Sequence, residues 1–260
     1  MSDNPAAGVE PRPLHEQVVL LLGGTSGIGQ ETARVFKENG AAVAIAGRNI
    51  DRGEAAAADL GAPFLRCDGA DPSSVQAMVA EAQNRFGRID TLIISTGGAR
   101  LPELLFRQSL EDIRVGLTED LAPFLYAARA VLPGMMHEGR GAIISVASDA
   151  GKVATPGEAV IGAGMAAIIQ FTRTLAMEAK RNGVRANVIT PSLVEGTPLT
   201  DRLMEEGRFS AKLFAKARPL AALGPTEASD LAALALFLAS PAARRITGQA
   251  ISVNGGISAA

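Results

Sequence analysis

From Gln17 onward, short apolar runs alternate with longer stretches in which apolar residues return at helical spacing. The runs predict seven strands, at Val18–Leu22, Ala42–Ala46, Phe64–Cys67, Thr91–Ile94, Ala142–Val146, Val184–Val188 and Ala250–Val253. The intervening stretches predict helices, among them Gln30–Glu38, Ser73–Arg85, Leu121–Met136, Glu158–Lys180 and Thr226–Leu238. Strands that are apolar throughout and separated by helices belong to a parallel sheet covered on both faces. The pattern therefore predicts an α/β fold: a single doubly wound Rossmann domain with a seven-stranded parallel sheet and helices on both faces. Asp71-Pro72 marks one helix start, a capping side chain before a first-turn proline, and Thr226 before Glu227 is expected to cap another.

No composition shift, polar linker or internal repeat divides the 260 residues. Residues 1–13, rich in Pro, Ala, Asp and Asn, read as a flexible tail, and residues 14–260 as one domain. Within it, residues 191–225 are the least regular, with two proline-bounded amphipathic pieces expected at Leu199–Glu206 and Ala211–Ala217. Such a segment suits a cover over a ligand cleft. The net charge of −2 and the absence of a basic run exclude a nucleic-acid footprint. No segment is expected to reach the roughly 18 apolar residues of a membrane span, so a cytoplasmic location is expected. The lone Cys67 allows neither an internal disulfide nor a metal cluster.

Candidate chemistry begins where the first strand ends. Val18–Leu22 runs into Gly23-Gly24-Thr25-Ser26-Gly27-Ile28-Gly29, and a helix follows at once. Glycines let the backbone approach a pyrophosphate, and the free N–H groups of the helix end donate to it. An acid that would hold the ribose hydroxyls is expected about 20 residues on, at the end of the next strand. There the chain reads Ala46-Gly47-Arg48-Asn49, with glycine in the acidic slot. A carboxylate would repel the 2′-phosphate of NADP, whereas the Arg48 guanidinium would pair with it. The reading favours NADP(H).

With these residues in place, the chain resembles the short-chain dehydrogenase/reductase superfamily from about Val18 to Ser258. Gly23-x-x-x-Gly27-x-Gly29 is similar to that family's glycine turn, although Leu22 stands where Thr is usual. The resemblance implies Asp68, in Cys67-Asp68-Gly69-Ala70-Asp71, for the adenine amine. It also implies the turn Pro191-Ser192, with Val194 and Thr197, for the nicotinamide carboxamide. Ser95-Thr96-Gly97 stands where the family carries Asn-Ala-Gly after the fourth strand. The C-terminal stretch Val253-Asn254-Gly255-Gly256 completes the likeness.

The catalytic motif departs from the family. Ser148 matches its serine, but Ile161 and Met165 stand where the family carries Tyr and Lys, and Asp120 where it carries Asn. The single tyrosine, Tyr126, falls on a different helix. In the family the Tyr passes the proton and the Lys lowers its pKa; neither Ile nor Met carries a proton. General acid–base assistance is worth roughly 10² to 10⁴ in rate, so a displaced donor is required if the chain turns over. Glu158, seven positions before Met165, shares its helical face and is a candidate, although a first-turn glutamate can equally face solvent. Asp149 and Asp120 are further candidates. An apolar lining from Ile161, Met165, Leu193 and Phe209 or Phe214 is expected.

Three functions remain open: an NADP-dependent reductase or dehydrogenase of a small-molecule C=C, C=N or C=O bond with a displaced donor, a catalytically silent cofactor-binding subunit or redox sensor, and a non-redox lyase or isomerase. The resemblance also implies a homotetramer, or a homodimer.

Overall fold

The computed structural model describes residues 10–97 and 100–260. Seven strands form one parallel sheet: β1 (Val18–Leu22), β2 (Ala42–Gly47), β3 (Phe64–Arg66), β4 (Thr91–Ile94), β5 (Gly141–Val146), β6 (Val184–Pro191) and β7 (Ala250–Val253). Their spatial order is β3-β2-β1-β4-β5-β6-β7. β1 is entirely buried, pairing Leu20 with Ala44 on one side and Leu92 on the other. The chain winds outward from β1 in one direction, then returns to start β4 on its other side. That reversal opens a crevice at the carboxyl ends of β1 and β4.

Among the described residues, eight α-helices accompany the sheet: α1 (Gly27–Glu38), α2 (Ile50–Leu60), α3 (Pro72–Phe86), α4 (Leu110–His137), α5 (Ala159–Ala179), α6 (Pro198–Leu203), α7 (Phe209–Ala217) and α8 (Ala228–Ala239). One face of the sheet packs Leu20, Leu22, Leu92 and Ile94 against Met78, Phe124, Val131 and Ile168 from α3, α4 and α5. The other face packs Val19, Leu21 and Ile93 against Phe36, Leu231 and Leu238 from α1 and α8. Alternate residues of β1 thus serve opposite cores, which is why the strand is apolar throughout.

Several boundaries differ from the sequence expectation, each for a local reason. α4 begins eleven residues before the predicted Leu121, because Ser109 and Asp112 form a reciprocal capping box. Pro123 and Pro133 lie inside it, tolerated because tertiary packing outweighs the helical hydrogen bonds they remove. α2 was not among the predicted helices; Asn49 caps it, accepting from Arg52 N at 2.8 Å. Asp71 caps α3 as expected, but the cap of α8 is Glu227, while Thr226 is buried in a two-residue ladder with Val194.

Residues 1–9 of the expected tail lie outside the described residues, and its last part is pinned: Arg12 pairs with Asp90 at 3.1 Å and Glu138 at 3.4 Å. The segment Ala159–Asn182 is long and apolar enough to cross a membrane, contrary to expectation. Here it is a core helix, with Val160, Met165, Ile168, Ile169, Thr172, Leu175 and Ala176 buried.

Candidate active site

The crevice deepens into a cleft of about 560 Å³. Its β1 wall is bare backbone. Gly23 has φ +90°, and a Cβ there would come within 2.3 Å of the Ser95 carbonyl oxygen. A Cβ on Gly29 would lie 2.1 Å from the Gly23 carbonyl oxygen. No other residue fits at either position without moving backbone. Ser26 precedes α1 without a side-chain capping bond, so the first-turn N–H groups face the cleft uncapped. Ser95, Thr96 and Gly97 continue this wall, and the Thr96 hydroxyl is buried with no partner among the described residues.

Gly23, Ser26, Gly27, Ile28, Ser95, Thr96, Gly97, Pro191, Ser192, Val194 and Thr197 all line the cleft. Thr197 caps α6, accepting from Thr200 N at 3.3 Å and donating to the Val194 carbonyl at 3.0 Å. That cap brings the start of α6 against Gly27, 3.5 Å from where a Cβ there would sit. The covering segment forms its own small core of Leu193, Leu203 and Phe214, and Phe214 and Leu213 reach the cleft. Phe209 instead seals the backbone of Gly157, where a Cβ would lie 2.3 Å from its ring.

Other expected residues fall outside the cleft lining. Thr25 is buried beneath Gly47, and its hydroxyl accepts from Arg52 Nε at 3.2 Å. Arg48 is exposed and turns toward Glu119 at 3.9 Å, while Asn49 is committed to the α2 cap. Asp68 is exposed and accepts from Ala70 N at 3.1 Å within its own turn; Gly69 is packed under Pro123 of α4. The basic residue that does line the cleft from this side is Arg52, three positions into α2. The sequence did not single it out, because only the turn of the folded α2 brings its side chain to the cleft.

The opposite wall carries the side-chain chemistry. Ser148, Asp149, Glu158, Ile161, Met165 and Asp120 line it, together with Arg100. Ser148 follows β5 and accepts from Ala150 N at 3.2 Å, which leaves its O–H free to point elsewhere. Glu158 is the residue before α5 and makes no capping bond. It is half-buried: removal from water pushes its carboxyl above the ordinary range, against a smaller opposing bond from Thr155. Glu158 thus stands at the start of α5, partly open to solvent and partly against the cleft wall. Asp120 is 4 % exposed, and burial raises its carboxyl as well, opposed by the positive charge of Arg100. Arg100 lies over Gly116, one turn before Asp120 on α4.

Asp149 has a different job. Its carboxylate accepts from Ser252 Oγ at 3.1 Å, from Ser258 Oγ at 3.0 Å and from Asn254 Nδ2, with Lys152 Nζ 3.6 Å away. These donors occupy both of its oxygens, so it ties the loop after β5 to the C-terminal segment. The partners lie about a hundred positions away in sequence, beyond the reach of local pattern.

Comparison with known proteins agrees with this geometry. The family described as enoyl-(acyl carrier protein) reductase matches residues 23–258. A 3-oxoacyl-[acyl-carrier-protein] reductase from Bos taurus is 34% identical over 245 residues, 93% of this chain and 98% of the relative. The chain belongs to the short-chain dehydrogenase/reductase superfamily. Another relative, momilactone A synthase from Oryza sativa subsp. japonica, is 35% identical over 96% of this chain and 92% of its own. Among solved structures, a ribose-5-phosphate isomerase from Brucella melitensis 16M superposes with a TM-score of 0.85 at 29% identity, covering 93% of this chain and 91% of the other. As a short-chain dehydrogenase/reductase, the chain is an oxidoreductase family member whose only tyrosine, Tyr126, lies on α4 and outside the cleft lining.

Proposed function

We propose that this protein is an NADP(H)-dependent oxidoreductase that reduces an activated C=C, C=N or C=O bond of a small molecule, with Glu158 as proton donor. The site is atypical: Ile161 and Met165 take the places of the superfamily's Tyr and Lys. The observation that carries the reading is the Glu158 carboxyl, half-buried in the cleft wall and pushed toward its protonated form. An acid that keeps its proton nearer neutral pH is what proton delivery requires.

The cofactor fits the residues present. Gly23, Gly27 and Gly29, with the uncapped start of α1, would hold the diphosphate. The unpartnered Thr96 hydroxyl supplies a polar atom for the ribose or nicotinamide side, as do Ser95, Ser192 and Thr197. Arg48 and Arg52 would hold the 2′-phosphate, and the Asp68–Gly69 turn would border the adenine. When bound and reduced, the cofactor supplies a hydride. The chain's own contribution is the rest: Ser148 donates a hydrogen bond to the substrate oxygen or nitrogen, and the Glu158 proton passes to the substrate atom that gains the electron pair. The resulting carboxylate is reprotonated from solvent. Asp120, beside Arg100, holds the far side of the cleft, and Asp149 keeps the loop carrying Ser148 in place. Leu110, Leu117 and Tyr126 expose apolar surface along α4, which supports a homodimer or homotetramer.

Mixing purified protein with NADPH and a panel of enones, imines and ketones tests the reading. Cofactor oxidation is expected with at least one class, and Glu158→Gln should lower kcat by about 10² to 10⁴. Tight NADPH binding without turnover on any of them would overturn the catalytic part and leave a silent cofactor-binding subunit or redox sensor. Turnover that survives Glu158→Gln unchanged removes Glu158 from the reaction.

A further inference from the structure

At the other end of the sheet, where β1, β4, β5 and β6 begin, lies a second cavity of about 380 Å³. It is lined by Arg12, Arg140, Lys180, Arg185, Arg244 and Arg245, against two carboxylates, Glu10 and Asp90. Both acids are already committed. Asp90 accepts from Arg12 Nε at 3.1 Å, Arg88 Nε at 3.0 Å and Val18 N at 2.8 Å, and Glu10 pairs with Arg244 at 3.6 Å. Among the described residues, Arg140, Lys180, Arg185 and Arg245 have no carboxylate within ion-pair distance.

Two of these cations are costly as they stand. Arg185, on β6, is 8 % exposed and makes one bond, to the Ile246 carbonyl at 3.4 Å. Burial with no counter-charge lowers its pKa to about 10. Arg140 donates from Nη1 to the Glu10 carbonyl at 3.2 Å, while its Nε is buried without a partner among the described residues. A guanidinium removed from water needs an anion or a full set of acceptors, and the described residues supply neither. Guanidinium forks fit phosphoryl oxygens in pairs. The cations converge on one small hollow rather than forming the stripe that a nucleic-acid backbone would need.

We propose that this amino-edge cavity is a binding site for a small phosphoryl oxyanion carrying at least two negative charges, separate from the cleft at the carboxyl edge. Arg140 and Arg245 grip the ligand at the mouth, and Arg185 supplies the field from beneath.

Titration calorimetry of the full chain with inorganic pyrophosphate, and separately with a sugar bisphosphate, tests the site. Saturable binding of either is expected, weakening as salt is raised; which of the two binds more tightly tells a free from a sugar-linked phosphate. Arg140→Gln/Arg245→Ser, chosen to leave the buried Arg185 and the fold intact, should weaken binding at least tenfold, about 1.4 kcal/mol. Arg52→Gln, at the other edge, should leave it unchanged. The proposal is overturned if neither ligand saturates at millimolar concentration. It is equally overturned if the double variant binds as tightly as the parent, whatever Arg52→Gln does, since the anion then sits elsewhere, as on the glycine turn.

Discussion

On the β1 side of the cleft the protein presents backbone, and on the α5 side it presents side chains. The glycine wall admits no change because two Cβ positions are already filled by carbonyl oxygens. The α5 wall holds an isoleucine, a methionine, a serine and two carboxyls raised by burial, Glu158 and Asp120. Backbone geometry is shared by any sequence that can adopt it, whereas chemistry depends on each side chain. One wall can therefore keep a ligand shape while the other changes its reaction.

The most severe way to break this contrast is Gly23→Ala. Positive φ and a 2.3 Å approach to the Ser95 oxygen should together cost several kcal/mol, on the order of 1–3 for each effect. A fall in Tm and an NADPH Kd raised by about 100-fold or more are expected from melts and titration. Unchanged binding would mean the backbone wall is not the diphosphate site.

The α5 wall is sharpened by pH. If Glu158 is the proton donor, kcat should fall as pH rises through its raised pKa, and Glu158→Gln should erase that limb. Stability moves the same way. Between the ordinary glutamate value of 4.5 and the raised folded value, the folded state binds more protons than the unfolded state. Stability therefore falls with rising pH across that window. The Gln variant should flatten this slope in chemical denaturation series.

A third comparison sets Arg52 against Arg48. If the cleft-lining arginine holds the 2′-phosphate, Arg52→Gln should reduce preference for NADPH over NADH about tenfold, the scale of one charge-assisted contact at roughly 1.5 kcal/mol. Arg48→Gln, whose side chain is 58% exposed, should do less. A larger effect at Arg48 would restore it as the main phosphate partner. The smallest effect on activity is expected at Asp149→Asn. It should lower stability by about 1–3 kcal/mol in urea through lost charged hydrogen bonds, with the KM for substrate unchanged. A selective loss of kcat with full stability would instead make Asp149 part of the chemistry.

What could be read along the chain follows distance in sequence. The strands, the glycine turn, the Asp71 cap and the absence of a Tyr on the α5 stretch are local, set by neighbours within a few residues. Arg52 escaped because Arg48 and Asn49 were read for cofactor contacts, whereas Asn49 caps α2 and the helix turns Arg52 to the cleft. Glu158 was legible as a candidate, but solvent or cleft could not be decided from its helical phase alone.

By itself, then, the sequence determined the α/β order, the strand that ends in a glycine turn, and which residue types were available beside it, because these depend on short-range pattern and composition. Only the tertiary structure decided that Asp149 is held by Ser252, Asn254 and Ser258, that Glu158 is half-buried in the cleft wall, and that basic residues from five separate segments meet at the amino edge of the sheet. Burial and long-range charge arise when distant segments pack together, and no local pattern encodes them.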